Sequence, residues 1–213
     1  MRQFVVLTNH SEWAIVIPNV RYIFPAMNDT KEQITKTARE LFTERGYFNT
    51  SIRDVSKEAG LSTGAIYYHF KSKEEIASEI FNNTTSFLLQ EFKQAVQEGV
   101  TGKDKIFSII STMLRLADEQ SEIMEYALHV KHRDIMEAGK TICSSEPFEL
   151  IKDFIREEMA RGNIRQMDVY TAAVGLTSMP IRFMQLKWDG VLDEKLINRA
   201  EEIFTCVWGA LKP

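Results

Sequence analysis

The chain has 213 residues, of which 44% are hydrophobic and 26% are charged, and this balance excludes a largely disordered protein. Two cysteines, Cys143 and Cys206, are too few for a disulfide framework or a thiolate metal site, and no apolar run approaches the roughly 20 residues that span a bilayer. We therefore expect a cytoplasmic protein. Five prolines and ten glycines are few for this length, and helix-favouring residues recur throughout, so the expected fold class is all-α.

Residues 1–26 differ from the rest because they are rich in β-branched and aromatic side chains, whereas the sequence from Asn28 onward has a continuous helical pattern. We interpret this segment as an uncertain N-terminal extension that results from the choice of start codon, with Met27 as the true start. The alternative is a genuine N-terminal arm that contacts nucleic acid or a partner.

Capping patterns predict where the first two helices begin. Thr30 with Gln33 predicts the start of the first helix, which ends at Gly46, and Ser51 with Asp54 predicts the start of a short second helix. The inner face of the first helix, at helical spacing, consists of Ile34, Ala38, Leu41 and Phe42.

A third helix follows after a very short turn around Gly60. Two short helices joined by a tight turn that contains glycine are typical of a helix-turn-helix unit. Ile66 and Phe70 lie four residues apart and face the same core, so Tyr67 and Tyr68 must face elsewhere.

Ser72 with Glu75 predicts the start of a long fourth helix. After a break at residues 99–102, five more amphipathic helices are expected, at about residues 103–119, 122–138, 147–161, 168–188 and 193–211. Pro180 falls inside the eighth helix of the chain, predicted at residues 168–188, where it should kink or interrupt the helix because it lacks a backbone donor.

The overall charge of −4 gives no indication of nucleic-acid binding, but it conceals a local difference. Between Met27 and Glu75 the basic and acidic residues are equal in number, and no acidic residue lies between Ala59 and Lys73. A DNA duplex that approaches this window meets no carboxylate. The exposed side of the third helix is therefore the candidate DNA-reading surface.

The segment TARELFTERGYFNTSIRDVSKEAGLSTGAIYYHFKSKEEI resembles the DNA-binding domain of the TetR family of bacterial transcriptional regulators, and the resemblance covers residues 30–79. It implies an all-helical homodimer in which three N-terminal helices bind DNA. It also implies a fourth, connecting helix, a C-terminal helical body that binds an effector, and last two helices that pair across the dimer. The corresponding domains are residues 27–73 for DNA binding and residues 74–213 for effector binding and dimerisation.

Carried over by position, the resemblance implies DNA contacts from Thr50, Ser51, Arg53, Thr63, Gly64, Tyr67, Tyr68, His69 and Lys73. Tyrosine hydroxyls and the Lys73 ammonium suit phosphate oxygens, and Arg53 is a candidate for a base contact. Two alternatives to a DNA contact stay open: the sole role of Ser51 is to cap the second helix, or His69 packs between helices and touches no DNA. The zero net charge of this domain predicts modest non-specific affinity.

Seven of the nine methionines lie beyond residue 100, which suits either a pliable apolar pocket or a helical core that holds no ligand. The resemblance favours a pocket for a small, largely apolar effector. Its candidate wall consists of Met113, Leu116, Met124, Leu128, Phe148, Met179 and Phe183.

The last two helices have broad apolar faces, which predict a homodimer interface. Its candidate residues are Ala172, Ala173, Leu176, Ile181, Leu196, Ala200, Ile203 and Val207. Glu125, His129 and His132 have a spacing that places them on one helical face, but we interpret them as polar groups at a solvated edge or pocket and expect no metal.

The predicted function is a ligand-responsive, DNA-binding transcriptional regulator, a repressor that a small effector releases from a palindromic operator. The alternative is an effector-independent nucleoid or division-control protein with the same DNA-binding fold. The sequence has no Ser-His-Asp set, nucleotide loop or paired-carboxylate motif, so we expect neither an enzyme nor a cofactor.

Overall fold

The computed structural model describes residues 29–136 and 139–213, and in these ranges it contains α-helices and short 3₁₀ turns but no strand. The α-helices are α1 (Asp29–Glu44), α2 (Ile52–Glu58), α3 (Thr63–His69), α4 (Lys73–Glu98), α5 (Gly102–Glu119), α6 (Ser121–His129), α7 (Glu146–Ala160), α8 (Val169–Trp188) and α9 (Ala200–Leu211). The all-α prediction is confirmed. The predicted extension, residues 1–26, lies outside the described residues.

Serine caps start the helices of the N-terminal domain as predicted. The Ser51 side chain accepts from the Asp54 backbone N–H while Asp54 bonds back to Ser51, and the Ser72 side chain caps α4 through the Glu75 N–H. The Glu75 carboxylate accepts from the backbone of Lys71 and not from that of the capping residue. Thr30 is not an N-cap, because α1 already includes the residue before it.

Two hydrophobic cores are stacked along α4. The N-terminal core joins α1, α2, α3 and the first half of α4, and α6 adds Tyr126 to it. The C-terminal core joins the second half of α4 to α5 and to α7 through α9. The predicted boundary at residue 74 therefore falls seven residues before Phe81, which still packs in the N-terminal core.

Asp118 at the end of α5 holds the C-terminal helices in place. Its side chain is 5% exposed and pairs with Lys187 of α8 at 2.6 Å. It also accepts from the backbone N–H groups of Leu196 and Ile197, both at 3.0 Å, which start the 3₁₀ turn that leads into α9. Burial raises the pKa of Asp118, but the Lys187 ammonium and these two N–H groups lower it more, so its pKa lies below the usual value.

Two predicted helix boundaries and one predicted interruption differ from the structure. α6 ends at His129 and not near residue 138, because Val130 is extended and the chain then turns at His132–Asp134. The last helix begins at Ala200, after the 3₁₀ turn Leu196–Arg199, and not at residue 193. α8 continues through Pro180, so the proline does not interrupt it. None of the helices in the described ranges has the length and hydropathy that a bilayer crossing needs.

Candidate nucleic-acid interface

α2 and α3 form a helix-turn-helix whose turn is fixed by backbone conformation and by one side chain. Gly60 has a φ of +65°, which is accessible to glycine at little cost, and the Ser56 hydroxyl donates to the Leu61 carbonyl at 2.6 Å. Ile66 and Phe70 are buried and attach α3 to the N-terminal core, as predicted.

The opposite side of α3 faces solvent. Tyr67 is 54% exposed and Tyr68 is 82% exposed, which is far more than a purely structural role requires of a tyrosine. Gly64 is also exposed, and a Cβ atom there would meet nothing closer than the Ser62 hydroxyl at 3.8 Å. Packing inside the protein therefore does not require a glycine at this position, and the small residue leaves room for an approaching backbone.

An open concavity of about 700 Å³ lies beside α3, between the α1–α2 connection and the start of α4. The residues around it are Phe48, Asn49, Thr50, Ser51, Ile52, Arg53, Thr63, Tyr67 and Lys73. Six of the nine predicted DNA-contacting residues are in this set, whereas Gly64, Tyr68 and His69 are not. Residues that are up to 23 positions apart in the sequence thus meet at one surface.

Lys73 fixes the floor of this concavity. Its ammonium donates to the carbonyl oxygens of Tyr47 and Thr50, both at 2.9 Å, and lies 4.0 Å from the centre of the Tyr47 ring. An ammonium has three N–H donors, so one remains for a phosphate oxygen. The predicted phosphate contact is therefore compatible with a second role, which is to hold the α1–α2 connection.

Tyr47 completes this support. Its hydroxyl donates to the Glu74 carboxylate at 2.9 Å, and burial and this hydrogen bond both raise the pKa of Tyr47. The connection before α2 is thus attached to the first turn of α4 by Lys73 and by Glu74.

The structure does not expose the Thr50 side chain for the predicted DNA contact. Thr50 is 1% exposed, and its hydroxyl donates to the carbonyl of Gly46 at 3.0 Å, within the domain. Sequence reasoning could not separate this threonine from its neighbour Ser51, because burial at this position depends on how the turn packs against α1.

Among the other predicted contacts, Ser51 and His69 have partners inside the domain, whereas Arg53 and Tyr67 are exposed to solvent. The Ser51 hydroxyl is occupied by Asp54 at 2.6 Å, which lowers the pKa of that carboxyl group and supports the capping interpretation. The His69 ring is partly covered and lies edge-on to Tyr68, with 5.0 Å between the ring centres. Arg53 and Tyr67 are exposed and face outward.

Phe48 is a residue that sequence reasoning missed. Its side chain is 73% exposed and lies at the edge of the concavity, beside the predicted contacts. The only available signal was an aromatic residue in a polar connection immediately before a helix cap.

The N-terminal core is coupled to the body through α6. Tyr126 is 1% exposed within the N-terminal core, and Glu122, one turn earlier, lies 3.6 Å from the Arg39 guanidinium of α1. His132 is buried with its ring 5.1 Å from that of Phe81, and its Nε2 donates to the Tyr126 carbonyl at 3.0 Å. Burial lowers the pKa of His132, which favours the neutral ring.

The predicted effector-pocket residues belong to one cluster, the C-terminal core. Met113, Leu116 and Met124 are buried in it, and the other four pack against it while partly exposed. A shared core does not by itself place these residues around one cavity, so the effector pocket stays a prediction.

Seven of the eight predicted dimer-interface residues are buried inside the single chain, so that prediction is wrong for them. They belong to the C-terminal core, and only Ile181 is partly exposed. The apolar stripe of a helix most often packs on its own domain, and the sequence pattern could not show which face remains outside. The exposed residues of α8 and α9 include the small and apolar set that we call the outward face, Tyr170, Val174, Ser178, Cys206, Gly209 and Ala210, and also the polar residues Thr171, Arg182, Glu201, Glu202 and Thr205.

The three residues examined as metal ligands do not share a face. His129 lies against Trp188, with ring centres 5.0 Å apart, whereas His132 is buried beyond the end of α6. Within residues 29–136 and 139–213 no group of three histidines, cysteines or carboxylates could hold an ion.

Comparison with known proteins agrees with this architecture. Residues 34–80 match the family model for bacterial regulatory proteins of the tetR family. The chain is 29% identical to the transcriptional repressor KstR2 of Rhodococcus jostii over 48% of this chain and 50% of the relative. It is 32% identical to the fatty acid metabolism regulator protein of Bacillus subtilis over 37% of this chain and 41% of the relative. These matches span half or less of each relative.

The fold is also similar to that of solved structures. The crystal structure of FadR from Bacillus subtilis in complex with stearoyl-CoA superimposes with a TM-score of 0.68 at 20% sequence identity. The superposition covers 83% of this chain and 96% of that structure. At this level of identity the likeness concerns the fold.

Proposed function

Because this chain belongs to the TetR family of bacterial regulatory proteins, we propose that it is a transcriptional repressor that binds operator DNA and releases it when a small effector binds. The observation that carries the proposal is the outward face of α3, where Tyr67 and Tyr68 are exposed beside a concavity that contains Arg53 and Lys73. The DNA-binding domain is residues 27–73 and the effector and dimerisation domain is residues 74–213. The protein acts in the cytoplasm, where its operator is.

In this proposal α3 enters the major groove with its small N-terminal residues leading. The free N–H of Lys73 and the hydroxyl of Tyr67 donate to phosphate oxygens, which sets the position of the helix on the duplex. Arg53 is exposed and reads a base edge, because a guanidinium can donate two parallel hydrogen bonds to guanine.

A second copy of the chain covers the outward face of α8 and α9. Tyr170 and Val174 are 55% and 53% exposed there, and Gly209 allows close approach because no atom lies within 4 Å of a Cβ atom built on it. A two-fold axis at this face would present two copies of α3 to half-sites one helical turn or a multiple of it apart, so the operator is palindromic.

We infer that the effector carries a fatty-acyl chain, and that this apolar part of the ligand packs in the body. The support within this chain is the methionine-rich and aromatic wall of the C-terminal core, where Met113, Met124 and Phe148 lie. The names of two proteins similar to this one concern fatty acid metabolism or stearoyl-CoA. Such a ligand displaces α6, and Tyr126 transmits the shift to α1 because it is part of the N-terminal core.

The test uses a duplex that the purified protein selects from a random-sequence library, followed by gel-shift titration with and without stearoyl-CoA. The proposal expects one palindromic consensus and release by the acyl-CoA. Binding to many unrelated sequences with no release by any ligand would favour the effector-independent nucleoid or division-control role instead. Failure to select any sequence would refute both.

A further inference from the structure

Phe48 is an exposed aromatic ring on a rigid support. It is 73% exposed, yet its neighbour Tyr47 is buried, with ring centres 5.3 Å apart in an edge-on arrangement. Tyr47 is in turn bonded to Glu74 through its hydroxyl and to Lys73 through its carbonyl oxygen, and Lys73 also donates to the carbonyl of Thr50, on the other side of Phe48. The backbone that carries Phe48 is therefore attached on both sides, and the ring has a defined place at the edge of the concavity.

The concavity combines two kinds of surface. Among its lining residues Arg53 and Lys73 provide positive charge, and Tyr67 and Thr63 provide hydroxyl groups. Phe48 and Ile52 provide an apolar part of the lining, which we call the apolar wall. A surface that served only to attract phosphate would not need an apolar wall beside its positive charges.

The backbone of duplex DNA has the matching chemistry. Each anionic phosphate is followed by a deoxyribose, whose C–H edge is the least polar part of the strand's outer surface. A site that holds a phosphate near Lys73 also holds the adjoining sugar, which is joined to the phosphorus through a single ester oxygen. The Phe48 ring is close enough to meet that sugar, because its centre lies 5.3 Å from that of the Tyr47 ring, on which the Lys73 ammonium lies at 4.0 Å.

Resting on the proposed DNA-binding function, we propose that the concavity seats one phosphate together with its adjoining deoxyribose, and that Phe48 is a DNA-binding residue which packs on the sugar. The contact lies outside the recognition helix and involves no charge. It adds affinity equally at all sequences and sets how far α3 enters the groove.

The experiment measures the affinity of wild type, Phe48→Ala and Phe48→Tyr for a duplex that the wild-type protein has selected from a random-sequence library. Val191→Ala is the matched control, because Val191 is also an exposed apolar residue, 65% exposed, but lies between α8 and α9. Phe48→Ala should weaken binding about tenfold, as expected when part of a large apolar side chain is no longer buried. Phe48→Tyr and Val191→Ala should bind as wild type does.

Salt dependence separates this contact from an electrostatic one. The slope of log affinity against log salt should be the same for Phe48→Ala and wild type, since no phosphate contact is lost. Equal affinity of Phe48→Ala and wild type would overturn the inference and leave the proposed function intact. A changed oligomeric state with unchanged DNA affinity would assign the ring to a protein contact and would also overturn it. If the wild type selects no duplex, both proposals fail.

Discussion

The replacement Lys73→Met tests the support of the DNA-binding surface most sharply. Methionine keeps the length and packing of the lysine stem and removes the ammonium. The carbonyls of Tyr47 and Thr50 then lose a donor at 2.9 Å, and the Tyr47 ring loses a cation at 4.0 Å. These losses should loosen the connection between α1 and α2.

The expected magnitude follows from these contacts. Hydrogen bonds to a charged group contribute about 1.5–3 kcal/mol each, but Lys73 is only half-buried, so solvent screening reduces the total for both to about 2 kcal/mol. The cation–π contact adds about 0.5 kcal/mol. Lys73→Met should therefore lower the free energy of unfolding by about 2–3 kcal/mol.

The assay is urea denaturation at fixed protein concentration, with Lys71→Met as the control. Lys71 is an exposed lysine two residues away, and its replacement should change stability by less than about 0.5 kcal/mol. Lys73→Met should also reduce the slope of log affinity against log salt by about one phosphate contact. If the two variants are equally stable and have equal slopes, Lys73 neither supports the connection nor binds a phosphate.

Three further predictions concern the body. Asp118→Asn should lower stability by about 2 kcal/mol at pH 7, because the side chain can no longer pair with Lys187. The pKa of Asp118 is lowered on folding, so the higher stability of wild type relative to Asp118→Asn is fully present above the unfolded pKa. This stability difference should vanish in melts as the pH falls through the folded pKa, and a difference that persists in acid would contradict the reasoning. Gly102→Ala should lower stability by about 2 kcal/mol in urea melts, because the new methyl group would lie 2.2 Å from the buried Glu158 carboxylate; an unchanged melt would show that this carboxylate moves freely. Gly209→Arg should leave the fold of the chain intact by circular dichroism but yield monomers in sedimentation analysis, and a stable dimer would refute the proposed interface.

The helix-turn-helix could be predicted in detail because its signals are local. Caps at Ser51 and Ser72, and the spacing of Ile66 and Phe70, depend on residues within four positions of each other. Each of these features is present in the structure. The exposure of Tyr67 and Tyr68 then follows, because a helix that buries one face must present the other.

Predictions that depended on tertiary packing were less successful. The burial of Thr50 and the exposure of Phe48 are decided by how the α1–α2 connection folds over Lys73, from 23 and 25 positions away. The core-facing residues of α8 and α9 were predicted as the dimer interface, because each helix has apolar residues on more than one side. The end of α6 at His129 depends on the burial of His132 against Phe81, a contact between distant segments.

The central claim is that the exposed face of α3 reads DNA. Its most direct test is the dissociation constant of the double variant Tyr67→Ala, Tyr68→Ala for a duplex selected by the wild-type protein. Both rings are largely exposed, so the variant should melt as the wild type does and bind the selected duplex at least about a hundredfold more weakly. An unaltered melting temperature with unaltered affinity would contradict the account.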